Sequence, residues 1–172
     1  YLLADHPDAG YNQRMTDLQA TLGSAQMDRA ADIVSERQRL AARYDQAFAD
    51  LDWLQTPVKR QGDEHGYQSY PCLFQPAHAK AAVQTGNTAE IRGINAVRNS
   101  WMEQLQQQGI STRPATHAVH MLAFYRQKYQ LEPDDFPSAF AANDCSISLP
   151  LFHGMTVDEQ DFVIDKVRQY KV

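Results

Sequence analysis

The residues of this sequence best suited to chemistry stand in two short stretches, GYNQRM from Gly10 and THAVH from Thr116. In the first, Asn12 lies just ahead of an expected helix start, where its amide can donate to a phosphate or carboxylate. Arg14 adds a planar guanidinium that forks onto either anion. The same spacing also fits a turn asparagine beside a solvated arginine. In the second stretch His117 and His120 are three residues apart, a spacing that would put both imidazoles on one face of a helix. No carboxylate or cysteine stands at a partner spacing for a metal, so hydrogen bonding to a substrate, or plain loop packing, is the chemistry expected of the pair. The chain has no Gly-x-Ser-x-Gly elbow, no phosphate-cradling glycine loop and no dinucleotide fingerprint, and no residue is assigned a catalytic role. The residue types point to a binding surface without a complete reaction centre.

The elements that must position these residues follow from periodicity and capping. Thr16-Asp17-Leu18-Gln19 is a capping box that starts a helix running to about Met27. From Asp28 to Leu51, apolar residues recur at three and four (Ala30, Ile33, Leu40, Tyr44, Ala47, Leu51), interrupted only by Arg37, which predicts a long amphipathic helix. Residues 67–74 (YQSYPCLF) have the aromatic enrichment of a strand, and Pro71 predicts an edge position or an interruption within it. PAHAKAAVQTGNTAE is expected to be a loop with weak helical character, followed by an amphipathic helix through Ile91, Ile94, Val97, Trp101, Met102 and Leu105 that stops at Gly109. GIST is expected as a short strand, RPATHAVHMLAFYRQKY as a loop becoming a short helix, and PDDFPSAFAANDCS as a further helical turn or two. ISLPLF reads as a strand, and Thr156-Val157-Asp158-Glu159 caps a last helix that buries Phe162, Val163 and Val167. This order predicts an α/β two-layer domain with helices packed on a small sheet.

The chain has 172 residues, 43% of them hydrophobic and 22% charged, the composition of a globular domain. A formal charge of -5 with no run of Lys or Arg argues against nucleic acid or an anionic membrane as partner. No apolar run has the length of a membrane span and the start has no secretory-signal pattern, so a cytoplasmic location is expected. Cys72 and Cys145 stand in separate apolar contexts, as buried free thiols do.

Several separated motifs occur in a shared order: GYNQRMTDLQATLG, HGYQSY, MEQLQQQGISTR, HAVHMLAFYRQKY and SLPLFHGMTVDEQDFVI. In this combination the chain resembles the DegT/DnrJ/StrS family of nucleotide-sugar aminotransferases over nearly its whole length. The resemblance implies the aspartate-aminotransferase type of fold, with residues 1–27 as a linking segment and interface helix and residues 28–172 as the C-terminal small α/β domain. It implies pyridoxal 5'-phosphate (PLP) at a homodimer interface, glutamate as amino donor and a nucleotide-linked keto sugar as substrate. Asn12 would reach the coenzyme phosphate of the neighbouring subunit, and Arg14 would approach the substrate. Where many relatives carry a His-Tyr pair facing the sugar nucleotide, Ala115-Thr116 stand here; His117 lies two residues on, and His120 matches a second family histidine. The lysine that carries the coenzyme and the acidic partner of its ring nitrogen belong to family motifs placed ahead of this chain, so the 172-residue polypeptide alone is expected to be inactive. A dehydratase of the same fold and a non-catalytic dimerisation module are the alternative readings.

Overall fold

A computed structural model describes Asp5, Asp8 and residues 14–171. Thr16 caps α1 (Asp17–Met27): its hydroxyl accepts from the Gln19 N–H, and Gln19 Oε1 accepts from the Thr16 N–H at 3.0 Å. No residue of α1 is buried, whereas α2 (Ala30–Phe48) buries Leu40, Ala41, Tyr44 and Phe48 along one stripe. Arg37, the interruption in that stripe, bonds across the fold by donating from Nη1 to the carbonyls of Tyr67 and Gln68.

The sheet has three antiparallel strands in the order β1 (Leu54–Gln55), β2 (Tyr70–Phe74) and β3 (Ser146–Leu149). β1 pairs only with Leu73 and Phe74, so Pro71 lies beyond its reach, where a missing N–H breaks no bond to that strand. Alternation puts Tyr70, Cys72 and Phe74 on one face and Pro71 and Leu73 on the other. Two helices meet the first face: Tyr44 of α2 packs on Tyr70 with ring centroids 5.0 Å apart, and Trp101 of α4 (Thr88–Gln107) stacks on Phe74 at 5.6 Å. On the other face Leu73 shares a cavity with Ala79 and Val83 of α3 (Pro76–Thr85) and Ala141 of α6 (Pro137–Cys145). With helices on both faces, all four residues of β3 are buried. Between α4 and α6 lies α5 (Ala123–Tyr129), and α7 (Val157–Arg168) closes the chain against α2.

Three local expectations need correction. Residues 76–85 form a full helix, started by Pro76 after Gln75 at φ 46 and ended by Gly86 at φ 67. GIST forms no strand; Arg113, just beyond it, makes one isolated antiparallel bridge to Ser148. Phe162 is 44% exposed, and the buried stripe of α7 is Gln160, Val163, Ile164 and Val167. Cys72 and Cys145 are buried free thiols, and burial pushes the Cys145 thiol up to about 12. Among the described residues no helix is long and apolar enough to cross a membrane.

Candidate substrate cavity

The segment after α4 is held down by side chain to backbone bonds rather than by a ladder. Buried Asn143 of α6 accepts from the Ala118 N–H at 3.0 Å, and Asp144 Oδ1 accepts from its Nδ2 at 2.7 Å. One turn of 3-10 helix, Val119–Met121, follows and carries His120 inward, after which Leu122 turns the chain into α5. Asp5 Oδ1 accepts from the Ala123 N–H at 2.8 Å, tying this corner to the beginning of the chain. Beyond α5, Gln130 at φ 54 reverses direction, and Glu132 with Asp135 forms a reciprocal cap that presents Phe136.

These turns form an open cavity of about 370 Å3 lined by His117, Val119, His120, Tyr125, Leu131, Phe136 and Ala139. His120 is only 6% exposed, and its Nε2 has no hydrogen-bond partner. Its ring lies 5.2 Å from that of Phe136, while His117 stays at the exposed rim. The two histidines therefore share a site although they do not share a helix face. Tyr125 is 40% exposed and forms a wall of the cavity, with Phe124 meeting it edge-on at 5.2 Å. An apolar, aromatic lining with a few polar side chains, His117, His120 and Tyr125, is the makeup of a small-molecule site. The imidazole nitrogen can give or take one hydrogen bond, and the rings offer flat faces to a ligand. Phe136 and Leu131 carry no signal of this role in the sequence, because their distance along the chain from THAVH is bridged only by the tertiary fold.

Arg14 is exposed, two residues ahead of the Thr16 cap, and does not line this cavity. Asn12 lies outside the described residues. Among the described residues no three His, Cys, Asp or Glu side chains gather into a metal-sized cluster.

Residues 3–168 match the profile of the DegT/DnrJ/EryC1/StrS aminotransferase family. The chain belongs to this family. It is 31% identical over 159 residues to the spore coat polysaccharide biosynthesis protein SpsC of Bacillus subtilis, covering 92% of this chain and 37% of SpsC. It is 28% identical over 167 residues to GDP-perosamine synthase of Caulobacter vibrioides, covering 96% and 40%. Its fold superposes on Spr1654 from Streptococcus pneumoniae in its PLP-form with a TM-score of 0.65 at 22% identity, covering 88% of this chain and 34% of that one. The chain thus spans about 37–40% of the length of these curated relatives.

Family membership implies PLP, which requires a shielded amine for its carbonyl and a set of donors for its phosphate. The described residues do not fit that requirement by themselves. Lys59, Lys80, Lys128 and Lys171 are exposed and Lys166 is half-exposed, and none of them lines the histidine cavity. Lys80 is engaged with Gln55 Oε1 at 2.7 Å, and Lys128 and Lys166 lie over aromatic rings.

Proposed function

We propose that this chain is the small-domain part of a PLP-dependent aminotransferase that moves the amino group of glutamate onto a keto sugar carried on a nucleoside diphosphate. The observation that carries the reading is His120, buried with an unpaired Nε2 on an aromatic-walled cavity in a member of this family. His120 and His117 hydrogen-bond the sugar nucleotide, Tyr125 and Phe136 pack on its rings, and Arg14 supports its charged part. Asn12 lends its amide to the coenzyme phosphate of a second protomer, which makes the active centre a shared property of a homodimer. The bare apolar side chains of α1 and of Met15 just ahead of it fit that arrangement: Met15, Leu18, Leu22 and Met27 are all at least 65% exposed and call for a covering surface. The enzyme works in the cytoplasm. With its lysines on the surface, the 172-residue chain alone does not turn over substrate.

The deciding experiment is Asn12→Ala in the longer protein, with the PLP dissociation constant as readout. Loss of a hydrogen bond to a charged phosphate is worth about 1.5–3 kcal/mol, which weakens binding roughly tenfold or more. An unchanged dissociation constant rejects the shared-site reading. Turnover of glutamate and a keto-sugar nucleotide by the 172-residue chain rejects its dependence on other residues.

A further inference from the structure

The segment that carries His117 and His120 runs antiparallel to residues 143–148 and is pinned to them at three points. The first pin is backbone to backbone: the Arg113 carbonyl accepts from the Ser148 N–H at 2.7 Å. Pro114 follows and has no N–H with which to extend a ladder. The next two pins are side chains. Ser146 Oγ accepts from the Ala115 N–H at 3.3 Å, and Asn143 Oδ1 accepts from the Ala118 N–H at 3.0 Å. Beyond Ala118 the chain enters the turn of 3-10 helix that holds His120, so Asn143 makes the last hold before the lining residues Val119 and His120.

Ala118 is only 2% exposed, and its N–H has no water to turn to when Asn143 is removed. The Asn143 amide is itself aimed, because its Nδ2 donates to Asp144 Oδ1 at 2.7 Å and so turns Oδ1 toward Ala118. An amide gives and takes at once; an ionised carboxylate in its place could only accept, and leucine could do neither. Helix α4 anchors this corner from behind. Asn95 Nδ2 donates to the Asp144 carbonyl at 2.9 Å, and the buried Arg98 donates from Nη1 to the Ser146 carbonyl at 2.6 Å. We propose that Asn143 is a positioning residue for the substrate, holding the backbone at Ala118 so that His117, Val119 and His120 stand where they line the cavity. Asn143 is not among the lining residues and acts through the segment it holds. Its effect on substrate rests on the reading that this cavity takes the sugar nucleotide. With the bond lost, the segment spends a smaller fraction of its time in the binding arrangement, and apparent affinity falls with that fraction.

The test is Asn143→Leu in the longer protein, with two readouts. Hydrogen–deuterium exchange of residues 115–121 is expected to quicken roughly five- to tenfold, the weight of one net hydrogen bond on a local opening. The KM for a GDP-linked keto sugar is expected to rise about threefold or more, with kcat and the KM for glutamate unchanged. A general loss of stability would instead lower kcat through the amount of active enzyme and leave both KM values alone. The double exchange Asn143→Asp with Asp144→Asn keeps an acceptor for Ala118 and a donor beside it, and restores both readouts. Should Asn143→Leu lose the native fold, Ser146→Ala, which removes a single oxygen and frees the Ala115 N–H, carries the same test. Unchanged exchange in a folded variant overturns the proposal whatever the substrate. Quickened exchange with an unmoved KM overturns it as well, and His120→Phe then separates the two failures: a raised KM there leaves the cavity reading standing, and an unmoved one shows that the cavity reading is what failed.

Discussion

Arg168 grips Asp50 with both prongs of its guanidinium, Nη1 to Oδ1 at 2.7 Å and Nη2 to Oδ2 at 2.8 Å, and so ties the last turn of α7 to the residues that follow α2. The bidentate bond holds the Asp50 carboxyl down from 3.8 to about 2. A carboxyl lowered on folding contributes stability above its unfolded value and loses that contribution as pH falls through its folded value. The melting-temperature difference between the parent chain and Asp50→Asn is therefore expected to be full at neutral pH and to fade between 3.8 and about 2. Both groups are solvent-facing, so added salt shrinks the difference. A gap that stays constant across that acid range contradicts the linkage.

Trp101 is 2% exposed and stacks on Phe74, with Trp53 edge-on at 5.1 Å and Tyr170 at 5.1 Å. This cluster joins α4, the sheet and the end of α7, elements remote from one another in sequence. Trp101→Ala leaves a cavity among rigid rings that cannot collapse into it, and is expected to destabilise the fold by about 3–5 kcal/mol in urea unfolding. A loss below about 1 kcal/mol would mean that the surrounding rings repack freely.

Thr16 and Thr156 make the same capping box, yet their removal is expected to differ. Thr156 starts α7, which buries Gln160, Val163, Ile164 and Val167, so Thr156→Ala lowers global stability by about 1 kcal/mol. Thr16 starts α1, which buries nothing, so fraying there leaves the core intact and Thr16→Ala changes global stability by less than about 0.5 kcal/mol. Chemical denaturation of the two variants checks this. Equal losses would show that α1 melts together with the core.

How far the sequence could be read depends on which forces are local. Both capping boxes and the stripe of α2 come from contacts within a few residues, and all are found where their residue types place them, whereas β2 runs unbroken through Pro71. Helix α3 is hard to see in the sequence because its buried positions are Ala79 and Ala82, whose small side chains give little periodic signal. Its limits depend on Gln75 and Gly86 in left-handed backbone, which composition does not display for glutamine. In GIST the buried Ile110 and Thr112 alternate as a strand would, but this stretch pairs with no neighbour among the described residues. The functional types in THAVH were legible, whereas their walls at Tyr125, Leu131 and Phe136 depend on how α5 and the turn after it fold back. Family membership was legible because five motifs in order carry information that none of them carries alone.

The unpaired Nε2 of His120 makes a final prediction about substrate handling. Replacing the ring with phenylalanine keeps its packing against Phe136 and removes the buried, unpartnered Nε2. In the longer protein His120→Phe is expected to raise the KM for the sugar nucleotide five- to tenfold, the effect of about 1–1.5 kcal/mol of lost hydrogen bonding. Because this contact is made equally before and during reaction, kcat should change little. The exposed His117 already competes with water for its partner, so His117→Ala should cost less. Steady-state kinetics together with a melting curve decide the matter: an unchanged KM in natively folded His120→Phe would show that this nitrogen plays no part in binding the substrate.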